Sequence, residues 1–248
     1  MGSCSPVLCV FFLVHVLVPA VPYSGGLAIS FAFNNQCRET IYPGVLTSAG
    51  RPPFPTTGFA LEPGKDVSYS DTVPAGWSGR IWARHSCSTD ASGHFLCASG
   101  DCGTGKVECN GAGGVPPSTL VEFTLNGQDG KDFYDISNVD GFNVPGQIVP
   151  TNCPAVTCAA DINAACPPDL VVTAADGSRI GCKSACGAFN TDEYCCRGAY
   201  GGPATCKPST YSLLFKQKCP QAYSYAYDDA SSTFTCPSGS NYKIVFCP

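Results

Sequence analysis

The chain is short of charge. Of its 248 residues, 13% are Asp, Glu, Lys or Arg, about half the usual share. No run of five like charges occurs, which excludes a basic arm or an acidic tail. A net charge of −5 provides no basic field for nucleic acid. Methionine appears once, as Met1, and histidine three times. Zinc sites need separated Cys or His pairs; here Cys195 and Cys196 are adjacent and the other cysteine gaps are irregular. No metal or cofactor is therefore expected. The sequence has no Asn-x-Ser/Thr acceptor, so N-glycosylation is not expected. The nucleophile elbow GxSxG is also missing. Gly100 to Val107 approximates a phosphate loop. However, Val107 stands where a magnesium-binding hydroxyl belongs, and no amphipathic helix follows.

Long apolar runs are absent too. The longest, Val7 to Val18, has twelve residues and is interrupted by His15; a bilayer span needs about 20. Residues 1–28 carry no charged side chain, and small residues (Ala20, Ser24, Gly25, Gly26, Ala28) follow the run. This is the pattern of a secretory signal cleaved between Ser24 and Ala28; the competing reading is a membrane anchor. No hydrophobic tail, retention signal or lipidation box stands at the other end, so a soluble secreted chain is expected.

Glycine (27) and proline (21) are abundant and interrupt any long helix. A hydrophobic content of 44% is that of a folded globular chain rather than a disordered one. Cysteine is the outstanding component, at 18. Removing Cys4 and Cys9 with the signal leaves sixteen, an even number that reads as eight disulfides in an oxidising compartment.

Two regions differ in texture. From Ile29 to about Thr151, short alternating runs lie between turn pairs such as Pro43-Gly44, Asn126-Gly127 and Asp140-Gly141. Ile29, Phe31 and Phe33 share one face. In the next run Arg80, Trp82 and Arg84 oppose Ile81, Ala83 and His85, and later Val121, Phe123 and Leu125 oppose Glu122. This predicts a β-sandwich or flattened barrel, made of residues about 29–151 with 237–248 returning to it. Residues about 152–236 hold ten of the sixteen cysteines and form a second, disulfide-rich lobe. Within it, Asp161 is expected to cap a short helical turn through Ala165, and Ser209 a helix through Lys218. His85 and His94 have no orienting partner in sequence and are read as structural or surface residues.

The segment Gly93-His-Phe-Leu-Cys97-Ala-Ser-Gly-Asp-Cys102-Gly-Thr-Gly-Lys-Val-Glu-Cys109 resembles the signature of the thaumatin-like proteins, with Ser99 where that family usually has Thr. The likeness continues through Gly79 to Arg84, Asp132 to Ser137, Val139 to Asn143, Tyr194-Cys-Cys196, Cys219 to Tyr225 and Phe246-Cys-Pro248. It implies a mainly β fold: a sandwich core, a disulfide-rich and partly helical lobe, and a small bridged hairpin lobe. By cysteine order it implies the pairs Cys37–Cys247, Cys87–Cys97, Cys102–Cys109, Cys153–Cys236, Cys158–Cys219, Cys166–Cys182, Cys186–Cys195 and Cys196–Cys206. Sequence alone cannot choose among the connectivities of so many cysteines.

The resemblance also implies a cleft lined by Arg80, Glu122, Asp135, Asp140 and Asp229. Alternation independently turns Glu122 and Asp135 away from their apolar neighbours. Paired carboxylates can hydrolyse glycosides, and Glu122 and Asp140 are the candidate acid and base. The same groups can accept hydrogen bonds from sugar hydroxyls without chemistry. Phe142, Tyr225 and Tyr227 are candidate sugar-stacking aromatics, the competing reading being ordinary packing. Three functions follow from the resemblance: a secreted, extracellular (apoplastic) plant defence protein of the pathogenesis-related type that binds fungal cell-wall β-1,3-glucan or a related polysaccharide, with a fungal surface protein as a further candidate partner; a weak endo-β-1,3-glucanase; or a protein-recognition role, as an inhibitor of a foreign enzyme, a ligand of a membrane receptor or a sweet-tasting protein. A monomer is expected.

Overall fold

The computed structural model describes residues 28–248; the expected signal segment lies, but for its last residue, outside them. Among the described residues thirteen strands dominate. In chain order they are β1 (Ile29–Asn35), β2 (Tyr42–Thr47), β3 (Asp66–Val73), β4 (Ser78–Thr89), β5 (Phe95–Ser99), β6 (Leu120–Thr124) and β7 (Lys131–Ser137). Then come β8 (Gly146–Pro150), β9 (Val156–Cys158), β10 (Val171–Thr173), β11 (Arg179–Cys182), β12 (Phe234–Pro237) and β13 (Tyr242–Phe246). The helices are short: α1 (Ile162–Ala165), α2 (Ala185–Phe189), α3 (Thr210–Lys218) and α4 (Asp229–Ser232).

Two sheets make the sandwich. One runs β3-β1-β13-β8-β9, and the other β12-β7-β6-β4-β2 with β5 added on β4. The alternation read from the sequence is the cause. Phe31 and Phe33 of β1 and Phe123 of β6 point inward and are almost fully buried, because a strand sends successive side chains to opposite faces. Phe31 meets Phe123 edge-on at 4.9 Å between ring centres, and Phe123 meets Tyr242 of β13 at the same spacing. Such pairs are worth roughly 0.5–1.5 kcal/mol beyond their buried area, and they lock the sheets face to face.

The sandwich takes more chain than the composition shift marked out. β9 pairs with β8, and β12 pairs with β7, so both ends of the cysteine-rich stretch are stitched into the sheets. Eight disulfides are present, with the pairing that the family resemblance implies. Cys166–Cys182 closes the base of the β10–β11 hairpin.

The outer face of β4 carries a second, small core. Trp82 packs with Leu120 and the Cys102–Cys109 bridge. Arg84 is wholly buried there. Its guanidinium donates to the carbonyls of Tyr42 and Val107 and lies 3.3 Å from Cys102 Sγ. The glycine-rich stretch that mimics a phosphate loop is thus a bridged loop fastened to a buried arginine by one of its own carbonyls. His85 is buried, with Nε2 3.2 Å from the Ile180 carbonyl, and His94 is exposed.

Candidate functional site

Three strands position the first residues of the site. In the antiparallel register Arg80 of β4 stands opposite Glu122 of β6, and Glu122 stands opposite Asp135 of β7. Directly opposed residues have Cβ atoms about 5 Å apart. Their chain neighbours Ile81, Val121, Phe123, Tyr134 and Ile136 are buried in the sandwich. The alternation therefore forces a cation and two acids into one row on the outer face.

Asp140 reaches the row from the turn after β7. Gly141 follows it at φ +92°, and a Cβ there would sit 2.6 Å from the Cys182 carbonyl and 2.7 Å from Pro117. Only glycine fits this backbone and this space, and the turn swings Asp140 to 3.8 Å from Arg80. Both partners are about 40% exposed, so the pair orients more than it stabilises. Asp229 arrives as the first residue of α4. Its Oδ1 accepts a 2.9 Å hydrogen bond from the Tyr223 hydroxyl, which also contacts Thr233.

All five charged residues line one groove of about 370 Å³, together with Ser137, Tyr223 and Ala226. The groove continues both ways. Through Arg80, Glu122 and Asp135 it joins a depression of about 670 Å³ walled by Ser78, Thr124 and Phe133. Through Val139, Asp140 and Ala226 it joins a pocket of about 690 Å³ against the cysteine-rich lobe, lined by Tyr194, Tyr200 and Tyr225.

Electrostatics divide the acids. Burial holds the Glu122 carboxyl above the usual carboxylate range; Arg80 opposes the shift and Asp140 adds to it. Asp135 is pushed up to about 8, first by burial and then by the charges of Glu122 and Asp229. Its Oδ1 is buried and has no hydrogen-bond partner among the described residues. A carboxyl that loses water without gaining donors keeps its proton. The row thus brings together the Arg80 guanidinium, the carboxyl oxygens of Glu122 and Asp140, and in Asp135 a carboxyl that burial disposes to keep its proton.

The aromatic expectations fare unevenly. Phe142 is 0% exposed and belongs to the main core, so the expectation that it stacks on a sugar is overturned. Its backbone bridges to Cys182, and that pairing draws the ring under the surface. Tyr225 lines the larger pocket. Tyr227 is half-buried and lines none of these depressions. Sequence reasoning missed Tyr223, whose hydroxyl orients Asp229. The three tyrosines at 223, 225 and 227 lie in an irregular segment, where no periodicity says which one faces the groove.

A family model described as the Thaumatin family matches residues 35–248. The chain is 53% identical over 237 residues to Thaumatin-like protein 1 of Pyrus pyrifolia, covering 94% of this chain and 96% of that one. It is 51% identical over 241 residues to Pathogenesis-related protein 5 of Arabidopsis thaliana, covering 95% and 98%. It is 47% identical over 230 residues to a Prunus avium protein named Glucan endo-1,3-beta-glucosidase, covering 91% and 93%. Among solved structures, a β-1,3-glucanase domain (GH64) from Clostridium beijerinckii shares the fold, with a TM-score of 0.51 at 11% identity over 88% of this chain and 97% of that one.

Proposed function

The chain belongs to the thaumatin family, and from that premise we propose that it is a secreted plant defence protein whose acidic groove binds the β-1,3-glucan of fungal cell walls. The observation that carries this reading is the cross-strand row of Arg80, Glu122 and Asp135, extended by Asp140 and Asp229 into one groove. Such a row suits a neutral polymer rich in hydroxyls. Glu122 and Asp140 accept from sugar O–H groups, while protonated Asp135 and the Arg80 guanidinium donate to sugar oxygens. Pairing every polar contact in a partly dry groove is what makes it selective. An anionic polysaccharide would meet a chain of net charge −5 and be repelled.

A second reading is weak endo-β-1,3-glucan hydrolysis by the same carboxylates. It is favoured by a proton-holding Asp135 directly opposite Glu122, since glycoside hydrolysis needs one protonated and one ionised carboxyl. The relative named as a glucan endo-1,3-beta-glucosidase adds support. In this reading Asp135 is a better proton donor than the Glu122–Asp140 pair expected from the sequence.

One purified sample tests both. Wild type is expected to co-sediment with insoluble β-1,3-glucan, and the folded Glu122→Ala/Asp140→Ala variant at least 10-fold less. Equal sedimentation of the two proteins sinks the groove reading. Release of reducing ends from laminarin above a protein-free blank decides for hydrolysis, and no release leaves binding alone.

A further inference from the structure

The far wall of the groove is residues 222–232, irregular chain as far as Asp228 and then the single turn α4. It supplies Tyr223, Ala226 and Asp229 to the acidic groove, and Tyr225 and Ala226 to the lobe pocket. An irregular segment has no ladder to fix its position, so its hydrogen bonds have to be accounted for one by one. At its start, Tyr223 N–H donates to the Ile136 carbonyl, and the Tyr223 carbonyl accepts from Asn138 N–H. These two bonds clip the segment to the end of β7. Past Tyr223 the wall leaves the sheet.

From there it is gathered around a single ammonium group. Lys216 projects from α3, and its Nζ lies 2.8 Å from the Ala222 carbonyl, 2.9 Å from Ser232 Oγ and 2.8 Å from Asp228 Oδ2. An ammonium has three donors, and all three are used. Asp228 Oδ2 in turn accepts from Ser224 N–H and Ser224 Oγ, and Oδ1 accepts from Ser231 Oγ. The ion pair is largely buried, with side-chain exposures of 21% and 12%. Both ends of the segment (Ala222 and Ser232) and its middle (Ser224 and Asp228) are thereby tied to one atom. The helix that carries this atom is itself fixed, because its C-cap residue Cys219 is bridged to Cys158 of β9.

We propose that Lys216 is the positioning residue of the groove: its ammonium holds the wall beyond Tyr223 in place and so sets where Asp229 stands opposite the Arg80–Glu122–Asp135 row. Lys216 lines neither the groove nor the two depressions that adjoin it, so it acts through the wall and not by touching a ligand. A surface lysine of ordinary mobility would add little; a three-donor buried hub fixes a loop, because each acceptor it leaves would be stranded away from water. The consequence for binding rests on the glucan reading above, whereas the anchoring itself does not.

The test uses the full secreted chain and two variants. Lys216→Met keeps the apolar stem and removes the donors. Lys216→Met/Asp228→Asn also removes the stranded charge, so that a folded protein is available if the single variant misfolds. Amide hydrogen exchange is expected to accelerate at least 10-fold across residues 224–230, with β4, β6 and β7 unchanged. The ¹³Cγ resonance of Asp229 is expected to shift as its bond from Tyr223 loosens. Affinity for a soluble β-1,3-linked glucose hexamer is expected to fall about 10-fold. Unchanged exchange and an unmoved Asp229 resonance overturn the proposal, as does faster exchange with full hexamer affinity. If wild type binds no hexamer, the glucan reading fails by itself, and exchange together with the Asp229 resonance still decides whether Lys216 is the anchor.

Discussion

A carboxyl group wedged between two other acids, with one oxygen lacking any donor, answers to pH differently from a surface aspartate. Asp135 is pushed up to about 8 in the fold by burial and by Glu122 and Asp229; unfolded, it titrates near 3.9. Its folded value is the higher one. The stability it confers is therefore fully present below the unfolded value, and is lost as pH rises through the folded value, since the unfolded chain sheds the proton first. Asp135→Asn, which mimics the protonated form, should remove this loss. Between about pH 4 and 8 the variant is expected to gain on wild type by on the order of a few kcal/mol, read as thermal midpoints across pH 3–9. Parallel curves for the two proteins would mean that Asp135 ionises in the fold as it does in water. None of this was legible in the sequence. Alternation told that Asp135 faces away from Tyr134 and Ile136, but the shift depends first on burial by the folded chain, and then on the charges of Glu122 and of Asp229, which is 94 positions distant.

At the scale of elements, the part of the site that was legible is the part built on strands. Period-two patterning set Glu122 and Asp135 on outer faces, because a strand has only two faces and the other is apolar there; for Arg80 it gave only a face shared with Trp82 and Arg84. That Arg80, Glu122 and Asp135 stand in one row is a matter of register (Arg80 opposite Glu122, Glu122 opposite Asp135). Register depends on the connections between strands, and it entered through the family resemblance alone. Phe142 shows the limit: it sits beside Gly141 in a turn, where no period tells inside from outside, and it proved to be core. Helix ends were more readable. Ser209 caps α3 as its sequence predicts, with Oγ accepting from Ser212 N–H at 3.0 Å while Ser212 Oγ accepts from Ser209 N–H at 2.8 Å. Losing a serine cap costs about 1 kcal/mol. Ser209→Ala is thus expected to lower the thermal midpoint by about 2–4 °C for a chain of this size. Because α3 carries Lys216, the variant should also speed amide exchange in segment 222–232. A midpoint within error of wild type would mean that the Cys158–Cys219 bridge alone holds the helix.

For the molecule as a whole, disulfides close loops of very unequal length, and the inequality can be tested. Cys37–Cys247 spans 210 residues and joins the turn after β1 to the chain's last cysteine, whereas Cys102–Cys109 spans 7. In the chain-entropy account a bridge stabilises by restricting the unfolded chain, by an amount that grows with the logarithm of loop length. The long bridge is then worth about 5 kcal/mol and the short one about 2 kcal/mol. The long bridge also backs a parallel pairing, β1 with β13, between segments at opposite ends of the described chain, which has a high closure cost. Replacing both its cysteines by serine is expected to lower the thermal midpoint by about 10–20 °C. Glucan binding at 25 °C should be retained, because neither cysteine lines the groove. The Cys102→Ser/Cys109→Ser variant should lose less than half as much, unless packing against Trp82 and Arg84 adds to it. An equal or larger fall in the short-loop variant would show that the bridges act mainly through native packing. The rigidity of the groove would then be a property of its local contacts, the Lys216 cage foremost among them, and not of the cross-linked chain around it.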